Sequence, residues 1–143
     1  MIKAEGIHKT FEDFTALDNI TCNISDGCIY GMVGSNGAGK STFLRVLSGI
    51  YKPDKGCAYI DDEPIYENPK VKENIVFVSD ELFFLPGATM SKMADFYSSI
   101  YDRFNYDRFL KLAELFELNI KKPIANFSKG MKRQASIILA LST

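Results

Sequence analysis

Histidine, cysteine and long apolar runs are scarce in this sequence of 143 residues. The single histidine, His8, excludes a catalytic triad or a metal site built on several histidines. The three cysteines, Cys22, Cys28 and Cys57, are an odd number at wide spacings, which predicts reduced thiols rather than a disulfide or a metal site. The longest purely apolar run, residues 137–141, is far shorter than the roughly 20 residues of a membrane-spanning helix.

Neither sign of charge is in excess. The sequence has seventeen basic and eighteen acidic residues, for a formal charge of −1. We therefore expect no nucleic-acid partner and no acidic tail. The first five residues are mixed in polarity, and we expect no secretory signal peptide. Hydrophobic residues at 46% and charged residues at 24% are typical of a soluble globular protein with one domain of ordinary size.

The first half of the chain predicts strands and one helix. Residues 40–50 carry apolar side chains at helical spacing, with Gly49 placed to end the helix. Residues 28–33 are a continuous apolar run between glycines, which predicts a strand buried on both faces, as do residues 75–78. The other predicted strands are residues 2–7, residues 15–24 and a hairpin of residues 57–60 with residues 64–66, joined through Asp61 and Asp62.

The second half predicts helices. Thr89 and Asn105 are suitable N-caps for two amphipathic helices with apolar residues every three or four positions. A third helix is expected from Ser128 onward, and the sequence ends at Thr143 with none of the usual helix stop signals. We therefore expect the chain to be a fragment of a longer domain.

Residues 34–41 match the pattern G-x-x-x-x-G-K-[ST] of a phosphate-binding loop. Glycines allow the backbone to curl so that successive N–H groups point at phosphate oxygens, and the following helix directs its positive end to the same place. Lys40 is expected to reach the β- and γ-phosphates, Ser41 to ligate magnesium, and Thr42 to lie near the α-phosphate. The predicted phosphate-binding residues are Gly34, Ser35, Asn36, Gly37, Ala38, Gly39, Lys40, Ser41 and Thr42.

The context of the motif strengthens the prediction. It follows a predicted strand and opens a predicted helix, as the phosphate loop of a nucleotide-binding protein does. The sequence therefore predicts a nucleoside triphosphate site, with ATP and Mg²⁺ as the expected ligands. A phosphate loop alone does not distinguish kinases, GTPases and ATPases.

The surrounding residues resemble the ATP-binding cassette (ABC) ATPases of membrane transporters. Residues 14–20 and 31–44 are similar to the opening of that family, and Phe11 falls where the family carries an aromatic that stacks on adenine. The alternative for Phe11 is an aromatic buried at a strand end. Residues 127–134 are similar to the family signature, with Lys129 replacing its first glycine as in a subset of bacterial exporters.

The resemblance implies how the second half takes part. Ser128 and Gly130 would close on the γ-phosphate held by a second ATP-binding domain, in a homodimer or heterodimer. Lys129 would add a charge contact or face solvent. Asp80 lies where the family has a glutamine that touches magnesium; it is a predicted metal ligand with Ser41, or part of an acidic helix cap. Residues 82–86 lie where a transmembrane permease subunit docks.

The implied fold class is α/β: a P-loop NTPase core of the ABC type with an antiparallel β part and a helical subdomain, ending before the Walker B strand. The predicted division is an ATP-binding core (1–79), a helical subdomain (80–127) and the signature with the start of its helix (128–143). The family's catalytic aspartate and glutamate are not located, so no catalytic residue is assigned and hydrolysis by this chain alone should be slow.

The favoured function is the ATP-binding subunit of an ABC transporter, peripheral at the cytoplasmic face of the membrane. Export is the favoured direction of transport. Alternatives are a soluble ABC ATPase without a membrane subunit and a noncatalytic nucleotide-binding or interaction module. A kinase is the least favoured, because it would not need the signature at residues 127–134.

Overall fold

The computed structural model describes all 143 residues and consists of two compact units, Met1–Ile75 and Val76–Thr143. The first unit contains the sheet, and the second is helical. None of the helices has the length and apolar character of a membrane span. The division into three parts at residues 79 and 127 stays a prediction.

The first unit is built on a four-stranded antiparallel sheet in the order β2-β1-β3-β4. Ile2 pairs with Ile24 and Phe11 with Phe14, so the first two strands form one long hairpin. The predicted strands of this sheet are confirmed, the first three with longer bounds, whereas the strand predicted at residues 64–66 is shorter and begins one residue earlier. They are β1 (Ile2–Phe11), β2 (Phe14–Ile24), β3 (Lys55–Ile60) and β4 (Glu63–Pro64).

Helix α1 (Lys40–Leu47) contributes to the core of this unit. It buries Phe43, Val46 and Leu47, whereas Leu44 and Ile50, which the predicted apolar spacing also included, are exposed. Gly49 has φ 68°, the left-handed conformation in which glycine commonly ends a helix. A short helix, α2 (Pro69–Lys72), is added after an Asn68 cap. The other buried residues of this core are Ala4, Ile7, Leu17, Ala58, Ile65 and Val71.

The predicted strand at residues 28–33 is wrong in this structure. The segment has no strand pairing, and Ile29 and Val33 are 102% and 98% exposed. Residues 75–78 likewise form no strand and are only half-buried. A strand covered on both faces needs neighbours on either side, and no strand of the sheet pairs with either segment. An apolar run therefore indicates a buried strand only where neighbouring strands are present to pair with it.

The amino group of Met1 forms ion pairs with Asp26 and Asp61. The hydrogen bond to Asp26, followed by that to Asp61, raises the pKa of this amino group above its ordinary value of 8.0. A raised pKa in the folded state means that the stabilisation is complete below the unfolded pKa and disappears as the pH rises through the folded value.

We therefore expect the melting temperature to fall more steeply above pH 8 in the wild type than in an Asp26→Asn/Asp61→Asn variant. The difference between the two proteins, measured by circular dichroism from pH 7 to pH 10, isolates this ion pair from the thiols and phenols that titrate in the same range. Parallel curves for the two proteins would contradict the assignment.

The second unit consists of helices with side-chain caps. Its helices are α3 (Met90–Ser98), α4 (Tyr106–Leu115), a 3₁₀ turn (Ile124–Asn126) and α5 (Lys129–Leu141). Thr89, Asn105 and Ser128 each accept a hydrogen bond from the first turn of the helix that follows. Thr89 and Asn105 were predicted as caps, and Ser128 as the start of a helix. The core of the second unit contains the fully buried residues Met90, Met93, Ala94, Phe109, Ala135, Ile138 and Leu139. Residues 76–88 have no regular structure.

Candidate nucleotide-binding site

The loop at residues 34–39 has the backbone that its glycines predict. Gly37 and Gly39 have φ angles of 84° and 81°, a region that residues with a side chain rarely adopt. The Ala38 amide donates to the Ser35 carbonyl at 3.2 Å, and the Phe43 amide donates to the Gly39 carbonyl at 2.8 Å. The loop therefore curls tightly and continues directly into α1.

Gly39 packs directly against strand β2. A Cβ atom on this residue would lie 2.3 Å from the Ala16 carbonyl oxygen and 3.0 Å from the Leu17 Cδ2 atom. Gly37 has no atom within 4 Å of the corresponding position. The glycine before the lysine thus holds the end of the loop on the sheet, whereas Gly37 serves only the curl of the backbone.

Helix α1 is the one α-helix of the chain whose N-terminus has no side-chain cap. Asn68, Thr89, Asn105 and Ser128 cap the other four. The N-cap residue of α1 is Gly39, which has no side chain to accept the first-turn amides. Those amides and the positive end of the helix dipole are the groups that bind a phosphate in other proteins.

Lys40 folds back over the loop. Its ammonium donates to the carbonyl oxygens of Gly34 and Ser35, each at 2.7 Å. An ammonium has three donors, so one remains for an anion at the loop. Ser41 is exposed and Thr42 is half-buried at the start of the same helix. The nine predicted phosphate-loop residues are therefore contiguous around one helix N-terminus.

Phe11 lies at the closed end of the β1–β2 hairpin. Phe11 is 39% exposed, so the alternative interpretation, an aromatic buried at a strand end, is wrong. The Tyr51 ring meets it edge-on at 5.4 Å between centroids, and the Lys9 ammonium lies 5.5 Å from its centroid. Gly39 packs on β2 at Ala16. Ala16 lies near Phe14 in the same strand, and Phe14 pairs with Phe11. The ring is accessible, and its role in stacking on adenine stays a prediction.

Ser128 and Gly130 lie together at the start of α5. The Ser128 hydroxyl oxygen accepts from the Met131 amide at 3.2 Å, which leaves its hydrogen to be donated elsewhere. Both residues and Lys129 are exposed, and the first turn of α5 has no acidic residue. The N-terminus of α5 is thus open to solvent and free of negative charge, as a contact with an anion requires.

Most of the chain matches one protein family. Residues 17–143 match the model described as ABC transporter, a span that contains both the phosphate loop and the signature-like residues.

This chain belongs to the ABC transporter family.

Curated relatives agree with the family assignment. The chain is 30% identical over 142 residues to the ABC transporter ATP-binding protein YtrB of Bacillus subtilis, covering 99% of this chain and 49% of YtrB. It is 30% identical over 147 residues to the probable sulfate/thiosulfate import ATP-binding protein CysA of Chlorella vulgaris, covering 99% of this chain and 62% of CysA. The chain thus spans about half the length of YtrB.

Solved structures have the same fold. A putative ABC transporter ATP-binding protein from Pyrococcus furiosus superimposes with a TM-score of 0.86 at 26% identity, over 99% of this chain and 70% of that one. The dimeric post-hydrolysis state of the cassette MJ0796, bound to ADP and Pi, superimposes with a TM-score of 0.79 over 99% and 69%. At 23% identity the second likeness shows the fold alone. The predicted fold class, an ABC nucleotide-binding domain with an antiparallel β part and a helical subdomain, is confirmed.

Asp80 pairs with an arginine that the sequence did not predict as its partner. Arg133 of α5 donates to the Asp80 carboxylate at 2.9 Å and to the Ser79 carbonyl at 2.7 Å. No cluster of three or more potential protein ligands for a metal is present. The assignment of Ser41 and Asp80 as metal ligands stays a prediction.

Sequence reasoning missed two contacts of this ABC domain. The packing of Gly39 on Ala16 joins residues whose proximity depends on how α1 lies on the sheet. The Arg133–Asp80 pair joins residues 53 positions apart. No local motif predicts either pair of residues. The glycine immediately before the lysine did indicate close packing at that position.

Proposed function

We propose that this chain is the nucleotide-binding part of an ABC transporter ATP-binding subunit, with ATP and Mg²⁺ as its ligands. The observation that carries the proposal is the loop at residues 34–39: it is anchored by Gly39 on the sheet, and it leads into the only uncapped α-helix N-terminus. Phosphate oxygens would accept from the amides of this loop and from Lys40. The relatives described above are named ATP-binding proteins, which supports ATP as the nucleotide.

The remaining site residues would have separate tasks. Phe11 would stack on adenine, because its ring is accessible at the hairpin end. The Ser41 hydroxyl and the Asp80 carboxylate are the oxygen groups proposed for Mg²⁺, which would neutralise charge on the phosphates. No residue of this chain is assigned as catalytic, so we propose hydrolysis for the intact subunit and nucleotide binding for these 143 residues.

Two partners are proposed. One is a second ATP-binding domain, against which Ser128 and Gly130 would bind nucleotide; the dimeric cassette among the structural relatives supports this. The other is a transmembrane permease subunit that docks on residues 82–86, of which Phe83 is 65% exposed. The subunit would then lie at the cytoplasmic face of the membrane.

Two assays on the intact subunit test the proposal. ATP hydrolysis that is lost in a Lys40→Ala variant would support an ATPase, and copurification of a multi-span membrane protein would support a transporter. ATP binding without hydrolysis would favour the alternative of a noncatalytic nucleotide-binding module. Hydrolysis without any membrane partner would favour a soluble ABC ATPase.

A further inference from the structure

Hydrogen bonds join residues 76–88 to the helices of the second unit near both ends of the segment. Near the C-terminal end of this segment, the Leu85 amide donates to the Met93 sulfur at 3.4 Å, and the Ala88 carbonyl accepts from the Ile124 amide at 2.9 Å. Toward the N-terminal end, Arg133 donates to the Ser79 carbonyl and to the Asp80 carboxylate. Residues 81–84 form the stretch between these two anchors.

The segment forms one wall of a groove. The groove has a volume of about 300 Å³, and its lining is mostly apolar. Ile124 and Lys132 contribute to the lining from the 3₁₀ turn and from α5. The other lining residues, apart from Ala125, come from the segment: Leu82, Phe84, Leu85, Pro86, Gly87 and Ala88. The position of the segment therefore decides the shape of the groove.

We propose that Arg133 is a positioning residue that latches this segment onto α5 and so keeps the groove in the observed shape. The two anchors differ in kind. The anchor at Ala88 is a backbone hydrogen bond of a buried residue, whereas Asp80 is 88% exposed and pairs through charge. An exposed ion pair is weakened by salt, so the Arg133 end is the one that opens first.

Leu82 and residues 84–86 line the groove, so what the groove receives rests on the proposed function. If the permease docks there, opening the latch changes the docking surface. The latch itself is a property of the helical unit, and its test needs neither a permease nor a nucleotide.

Chymotrypsin cleavage of the native full chain after Phe83 measures opening of the segment, because removal of an arginine creates or destroys no chymotrypsin site. We expect cleavage to be about tenfold faster in Arg133→Ala, since two charge-assisted hydrogen bonds are lost, one of them part-buried and the other exposed. Asp80→Asn, which keeps the bond to the Ser79 carbonyl, should have a smaller effect. The double variant should be no faster than Arg133→Ala, and Arg133→Lys should lie between the wild type and Arg133→Ala.

Arg108→Ala is the matched control. Arg108 also donates to a backbone carbonyl, that of Leu141, but it has no bond to residues 76–88. Its variant should cleave at the wild-type rate, and 0.5 M NaCl should accelerate cleavage of the wild type but not of Arg133→Ala. Equal cleavage of Arg133→Ala, Arg108→Ala and the wild type at low salt would overturn the latch. That result would leave ATP binding untouched, whereas failure of ATP to bind would overturn the proposed function and not the latch.

Discussion

Replacing Gly39 with alanine is expected to destabilise the first unit by about 2–5 kcal/mol. The left-handed backbone of Gly39, with φ 81°, costs about 1–2 kcal/mol for a residue with a side chain. The new Cβ would also lie 2.3 Å from the Ala16 carbonyl oxygen, and overpacking of this kind costs about 1–3 kcal/mol. A backbone oxygen within a paired strand has little room to move, so the clash cannot be relieved by a side-chain rotation.

Gly37→Ala is the matched control for this substitution. Gly37 has nearly the same φ, 84°, but no atom within 4 Å of the new Cβ. Its cost should be the backbone term alone, about 1–2 kcal/mol. Chemical denaturation of the two variants separates the contributions. Equal destabilisation of Gly37→Ala and Gly39→Ala would contradict the packing of the loop on β2.

Replacing Lys40 with alanine is expected to weaken ATP·Mg²⁺ binding by about tenfold to a hundredfold. Hydrogen bonds to charged groups contribute about 1.5–3 kcal/mol, and Lys40 has one donor left for phosphate while the other two hold the loop. The two carbonyls that lose Lys40 belong to exposed residues, so water replaces the ammonium and the melting temperature should change little.

Isothermal titration calorimetry of the full chain measures this effect. Lys70→Ala is a suitable control, because Lys70 is an exposed lysine of the same unit that pairs only loosely with Glu63, at 3.7 Å. An ATP affinity that survives in Lys40→Ala, or falls equally in Lys70→Ala, would mean that the phosphate loop does not hold the phosphates.

N-cap residues in the sequence predicted where helices begin, because a cap depends only on neighbouring residues. Thr89 and Asn105 were predicted as helix caps and Ser128 as the start of a helix, and each accepts an amide hydrogen bond from the helix that follows. The same signals could have revealed α2, which the sequence analysis did not predict. Its Asn68 cap and its proline at the first helical position are both typical of a helix start.

Elements that depend on distant partners were less predictable. Residues 28–33 have the composition of a buried strand, but such a strand forms only where neighbouring strands pair with it. For the candidate site, the glycines and Lys40 could be predicted because the motif is contiguous. The Arg133–Asp80 pair could not, because only the folded helical unit brings the two residues together.

An amide chemical-shift titration with ATP·Mg²⁺ reports on the backbone groups that are proposed to hold the phosphates. We expect the largest shifts in the folded full chain at the amides of residues 34–42, and we expect these shifts to be lost in Lys40→Ala. Unchanged loop amides at saturating ATP·Mg²⁺, or shifts concentrated elsewhere in the chain, would contradict this expectation.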